Sequence, residues 1–180
     1  MEGSKPDTSA DRYDRTTMWL HWLSAALVLA LWCLGETIDW FPRGDSRIYA
    51  RSAHIVFGAA LALILCWRIV WRATRGQRLP SAELGRLHAL STVLHFTLYA
   101  LLIATVALGL GNAWMRGDNI FNWFTLPAFD PANRDLRHRI GDLHALLANW
   151  LLILASLHAL AGLWHFFVAK DRVLARMGLG

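Results

Sequence analysis

Four long stretches without a charged side chain constrain this chain of 180 residues more than any other feature. Twenty uncharged residues separate Arg15 from Glu36, sixteen separate Arg51 from Arg68, twenty-nine separate Arg86 from Arg116, and twenty-seven separate Asp142 from Lys170. A helix of about 20 apolar residues crosses the hydrocarbon of a bilayer. The second run suffices if Arg68 and Arg72 snorkel their charges to the surface. A soluble domain needs less apolar sequence than this, since 56% of the residues are hydrophobic and 17% charged. Ten Trp and eight Phe equally exclude a disordered chain. The expectation is an all-α fold, a transmembrane four-helix bundle with spans at about residues 17–37, 52–71, 87–114 and 143–169. A polar tail over residues 1–15 precedes it.

The net charge of +5 does not point to nucleic acid, because the cations lie between apolar runs rather than on one soluble face. Four spans put both termini and the connection between spans two and three on one side. That side collects eleven Lys and Arg, including Lys5, Arg68, Arg72, Arg86, Lys170 and Arg176, against seven on the other. The bias places both termini in the cytoplasm. Cys33 and Cys66 stand alone inside apolar runs, so neither a disulfide framework nor a covalent c-type haem follows. The residues ahead of span one are polar and offer no cleavage site, which reads as an uncleaved helix rather than a signal peptide. Trp19, Trp22, Trp32 and Trp40 are expected to fix helix depth at the interfaces. The connection from Met115 to Asp142, with Phe121, Trp123, Phe124 and Phe129, is expected to lie on the membrane or cap the bundle.

Eight His in so apolar a chain need a reason, since an imidazole among lipid tails is costly unless it faces the bundle and finds a partner. His144 and His158 are fourteen residues apart on span four, so they differ by about 40° around the helix and about 21 Å along it. One face therefore presents one ring near each leaflet. Because the spans alternate in direction, His54 starts span two at the depth of His144, and His21 in span one matches the depth of His158. Two pairs at two depths are what two bis-imidazole b-type haems need, one neutral nitrogen on either side of each iron. The residues four positions after these His are Ala25, Gly58, Ala148 and Gly162, all small enough to leave a shallow surface for a porphyrin.

Other readings stand beside this one. A lone intramembrane His is more often a hydrogen-bonded packing residue than a ligand, and it is the depth-matched set that favours haem ligation. His95 faces the inside of span three without a depth-matched partner and suits packing or a propionate contact. His88, His138 and His165 suit solvated or headgroup-facing positions. A zinc site is disfavoured because the two pairs are too far apart to share one ion.

At these residues the chain resembles the bacterial cytochrome b561 family. The likeness runs through His21, the segment from Ala53-His54 to Gly58 leading to Trp67-Arg68, and His95 to Tyr99. It continues through Leu126-Pro127, Asp142-Leu143-His144 with His158, and the tail from His165 to Met177. It covers nearly everything after residue 15. The resemblance implies a di-haem protein of the bacterial inner membrane that moves electrons between a donor and the quinone pool. Ubiquinone is then the acceptor, and superoxide a possible donor as in one branch of the family. It also implies non-covalent haem b held by the pairs His21–His158 and His54–His144.

Arg47, Arg51, Arg134, Arg137 and Arg139 flank the outer pair in sequence. Arg51 and Arg137 are expected to hold propionates ahead of steering a small anion. His165, Lys170 and Arg72 are the candidate quinone site. Three functions stay open: a self-contained oxidoreductase, a cytochrome subunit serving a separate dehydrogenase, and a haem-free membrane scaffold.

Overall fold

A computed structural model describes residues 12–77, 79–80, 86–130 and 132–179. Residues 1–11 of the expected polar tail lie outside these. Four helices run up and down in turn: α1 (Arg15–Thr37), α2 (Asp45–Thr74), α3 (Arg86–Arg116) and α4 (Arg134–Trp164). Among the described residues the prolines, Pro42, Pro80 and Pro127, fall outside them, as suits a ring that lacks an N–H. Even the shortest helix, at 23 residues, reaches about 35 Å, and all four are apolar enough to cross a membrane. Large side chains such as Leu63 and Phe96 point outward. A surface of that kind is stable only against lipid, so the chain is an integral membrane protein.

The helices pack in a ring. α3 lies most extensively on α4, then α1 on α2 and α2 on α3, while α1 and α4 meet sparsely. Leu31, Leu61, Leu65, Leu102 and Leu151, one or two from each helix, form the buried centre midway along the bundle. The sparse α1–α4 seam carries a polar clip, Trp32 Nε1 donating to Asn149 Oδ1 at 2.8 Å. Trp32 is thus a bridge between helices rather than an interface anchor. Trp22 and Trp71 also spend their N–H inside the protein, on the Met177 carbonyl and on Asp14. The most exposed tryptophans are Trp19, Trp40 and Trp123, at 75%, 81% and 83%, which suits the bilayer edges.

Between α3 and α4 a short hairpin, β1 (Asn119–Ile120) and β2 (Phe124–Thr125), caps one end of the bundle. Its turn places Phe121 and Asn122 at φ of 51° and 59°, and the Trp123 N–H closes it on the Ile120 carbonyl. Left-handed backbone suits Asn but not Phe. The fully buried Ser52 of α2 compensates, its hydroxyl accepting from Phe121 N at 2.9 Å, while the Phe121 ring stacks on Tyr49. Asn122 adds a hydrogen bond to Asp45. The aromatic connection therefore caps α2 with Phe121 and turns Trp123 outward.

At the opposite end the two termini are sewn together. Tyr13 N donates to the Arg176 carbonyl, and the Arg176 guanidinium donates to the Pro80 carbonyl at 2.7 Å. Gly178, at φ 86°, lies against Met18, where an added Cβ would come within 3.0 Å of Sδ. Asp14 caps α1 by accepting from Thr17 N and Thr17 Oγ, and it also accepts from Trp71 Nε1 and Gln77 N. Partial burial pushes its carboxyl up, but these four donors outweigh burial and hold it at about 2, below the ordinary 3.8.

We expect Asp14→Ala to cost about 1 kcal/mol of stability in detergent, the usual worth of an N-cap, read as a lowered midpoint of thermal unfolding near pH 7. Because the folded carboxyl titrates below the unfolded one, this contribution is present above about pH 4 and fades as pH falls toward 2.

Candidate functional site

Two groups of imidazoles lie inside the bundle at different depths. Toward the hairpin end, His54 of α2 faces His144 of α4, ring centroids 6.1 Å apart and planes at 86°. Two glycines on neighbouring helices make room for these rings. A Cβ on Gly35 would sit 3.2 Å from His54 Cε1, and one on Gly109 would sit 2.8 Å from His144 Cε1. His144 Nδ1 lies 2.9 Å from the Thr105 carbonyl. A carbonyl only accepts, so Nδ1 carries the proton and Nε2 keeps a free lone pair.

Among the described residues, the buried side-chain atoms without a hydrogen-bond partner are His54 Nδ1, Thr105 Oγ1 and Asn112 Oδ1. Thr105, Gly109 and Asn112 are spaced four and three apart on α3, so they form one stripe alongside His144. Unsatisfied polar atoms thus gather at this level, as expected where a further polar group belongs.

Toward the termini end, His21 of α1 faces His158 of α4 with centroids 6.3 Å apart and planes at 78°. His95 of α3 lies closer still to His158, at 5.1 Å. The expectation that His95 lacks a partner at its depth is corrected, since α3 reaches the same level. Arg68 does not snorkel. Its Nη2 donates to His21 Nδ1 at 3.0 Å, and its guanidinium lies 5.1 Å from the centre of the Tyr99 ring. Trp22 meets His21 edge to face.

These spacings test whether a haem iron fits. Two imidazoles bound on opposite sides of one metal, each by a bond of about 2 Å with the ring centre about 1 Å further back, have centroids about 6 Å apart. His54–His144 and His21–His158 match that separation, whereas His95–His158 is too short. Among the described residues no cluster of three or more His, Cys, Asp or Glu is arranged to hold a bare ion. Paired imidazoles suit a metal whose other ligands come from a porphyrin. Gly35 and Gly109 also crowd the rings, while an added Cβ on Gly58 would meet nothing within 4 Å.

A cavity of about 420 Å³ opens at the hairpin end beside the first pair, lined by Asn112, Arg116, Asp118, Arg137, His138 and Gly141, with Asp142. Arg51 and Arg116 lie 3.9 and 3.3 Å from the Asp118 carboxylate. Burial pushes the Asp118 carboxyl up despite these cations. Arg51 and Arg137 therefore belong to one cluster, joined by Arg116. Arg47 does not; it is occupied by the Asp39 carboxylate and the Phe41 carbonyl. Arg134 and Arg139 are exposed.

At the other end α4 finishes in a π-helical turn over His165–Ala169, closed by Lys170 in the left-handed conformation. His165 Nδ1 contacts the Asp171 carboxylate. Burial raises the Asp171 carboxyl slightly, but the Val173 N–H and His165 outweigh burial and hold it low. Arg72 is exposed, one turn beyond Arg68 on α2.

Fold and site together define a four-helix integral membrane protein with two imidazole pairs across its interior. The chain belongs to the prokaryotic cytochrome b561 family, whose model matches residues 12–180. Its relatives include the Yersinia pestis protein named "Probable superoxide oxidase CybB", 30% identical over 92% of this chain and 95% of that one. "Cytochrome b561 homolog 2" of Escherichia coli K12 is 31% identical over 93% and 91%. "Cytochrome b562" of Cereibacter sphaeroides is 30% identical over 94% and 97%. Membership makes this a b-type haem protein of membrane electron transfer.

Substituting Gly109 by Ala is expected to force His144 aside at a cost of about 1–3 kcal/mol and to lower the haem-to-protein ratio of the purified protein. Gly111→Ala, whose Cβ would meet nothing within 4 Å, should leave the ratio unchanged.

Proposed function

We propose that this chain holds two b haems, one between His54 and His144 and one between His21 and His158, and carries electrons between a donor at the hairpin end and ubiquinone. The observation that carries the reading is the pair of centroid separations, 6.1 and 6.3 Å, each suited to one iron between two neutral nitrogens. Bound haem supplies a one-electron couple at each level. The chain supplies the rest. α4 fixes the two levels about 21 Å apart along its axis, since His144 and His158 stand fourteen residues from each other. The leucine centre between them excludes water and keeps the levels apart without any moving part. The Thr105 carbonyl sets the tautomer of His144 and leaves its Nε2 directed to the metal. Arg51 and Arg137, with Arg116, balance propionate charge beside the first pair.

The cation bias, eleven against seven, supports an inner-membrane orientation with both termini in the cytoplasm and the hairpin outside. The 30% identical Yersinia pestis relative, named for superoxide oxidation, supports superoxide as the donor. The cavity bearing Arg116 and Arg137 suits entry of such a small anion at the hairpin end. Quinone is assigned to the opposite end, around His165, Lys170 and Arg72. There the Asp171 carboxylate behind His165 holds the imidazole in place to pass a proton.

His→Ala substitutions at 21, 54, 144 and 158 test the haem assignment. Each is expected to lose one haem of two, read from pyridine haemochrome absorbance per protein. Full haem content in any of the four would break the assignment of that ligand. The donor and acceptor are tested by mixing purified protein with a superoxide source and ubiquinone. The expected outcome is quinol formed in step with superoxide consumed, and no quinol formation would remove superoxide as the donor.

A further inference from the structure

Arg68 sits inside an apolar span, and α1 and α3 hold it there. The guanidinium donates to His21 Nδ1 and lies over the Tyr99 ring, so it faces the bundle interior and not the headgroups. Neither contact neutralises it. Neither His21 nor Tyr99 offers a carboxylate, and among the described residues no carboxylate comes within ion-pair distance of Arg68. A guanidinium cannot shed its proton, so a permanent cation at membrane depth calls for an anion that the neighbouring helices do not provide. Arg116 at the other level is different, because Asp118 answers it.

The chemistry of the missing partner is narrow. A planar fork of N–H donors matches a carboxylate by two parallel hydrogen bonds. The group next to Arg68 on the reading above is a haem carried by His21 and His158, and the anionic groups on that cofactor are its propionates. We propose that Arg68 holds a propionate of the haem bound between His21 and His158, and so sets that haem's affinity and potential. This rests on the ligand assignment given under the proposed function. Arg68 is a positioning residue here. If His21 took up iron through Nε2, the ring's proton would sit on Nδ1, which could then no longer accept from Arg68, and the guanidinium would be released to the carboxylate.

The test uses the full-length protein in detergent, with Arg68→Gln and Arg68→Lys, a potentiometric titration of both haems, and reconstitution with the haem dimethyl ester. Removing the cation leaves the propionate charge unbalanced, which favours ferric iron. Arg68→Gln should therefore lower the midpoint of the one haem that disappears in His21→Ala and leave the other unchanged. In protein carrying the dimethyl ester, where there is no carboxylate to hold, Arg68→Gln should weaken haem retention no further than the ester itself does. Arg68→Lys keeps the charge but not the fork and should retain that haem even if Arg68→Gln does not.

Unchanged potentials in Arg68→Gln would overturn the proposal. So would an equal loss of haem retention in Arg68→Gln with the ester haem, which would mean that Arg68 does not act through a propionate. Loss of the haem from Arg68→Lys as well would overturn it too. The two readings fail separately: full haem content in His21→Ala defeats the ligand assignment, whereas a silent Arg68→Gln with that assignment intact defeats only the role of Arg68.

Discussion

A polar ring placed among acyl chains must find something to bind, and this requirement organises the whole bundle. Every helix carries apolar residues outward, so nothing comparable to water's hydrophobic push drives the helices together inside lipid. Close contact at small residues and a few directed polar contacts remain. Both kinds meet at the imidazoles. Gly35 and Gly109 let rings from neighbouring helices approach, and the Thr105 carbonyl and the Arg68 guanidinium orient two of them. Between the two levels, the Leu31, Leu61, Leu65, Leu102 and Leu151 centre carries no polarity at all. The protein is thus two polar floors separated by an apolar one.

The two floors are built differently. His144 faces an acceptor, the ordinary arrangement behind a neutral ligand, and is surrounded by polar atoms that lack partners. His21 faces a fixed donor and a second imidazole from α3 lies beside its partner. The hairpin-end floor opens to solvent through a polar cavity, while the other is closed beneath by the knotted termini, with Trp22 bound to Met177 and Tyr13 to Arg176.

Much of this was legible in the sequence, for reasons that are physical. Uncharged runs identify the helices because lipid tolerates no unpaired charge, and the prolines mark where helices cannot run. The fourteen-residue spacing of His144 and His158 gives their shared face from helix geometry alone. Less visible were features that depend on which helix stands beside which. Nothing local distinguishes Gly109, pressed on His144, from Gly111, where an added Cβ would meet nothing within 4 Å. Arg68 reads as a snorkelling residue until α1 and α3 supply His21 and Tyr99 to turn it inward. His95 reads as solitary along α3 alone, because nothing in that span announces His158 of α4 beside it. The left-handed turn at Phe121 breaks the usual preference for Gly or Asn and is supported from sixty-nine residues away by Ser52, a contact that no window along the chain contains.

The last helix donates a ring to each pair, one to α2 and one to α1. Neither floor exists on a nascent chain until α4 has left the ribosome and entered the bilayer. The closing stitches of Arg176 and Met177 come later still. Assembly of the interior is therefore deferred to the end of synthesis, and a polypeptide cut short before residue 144 would be an inserted bundle with neither imidazole pair.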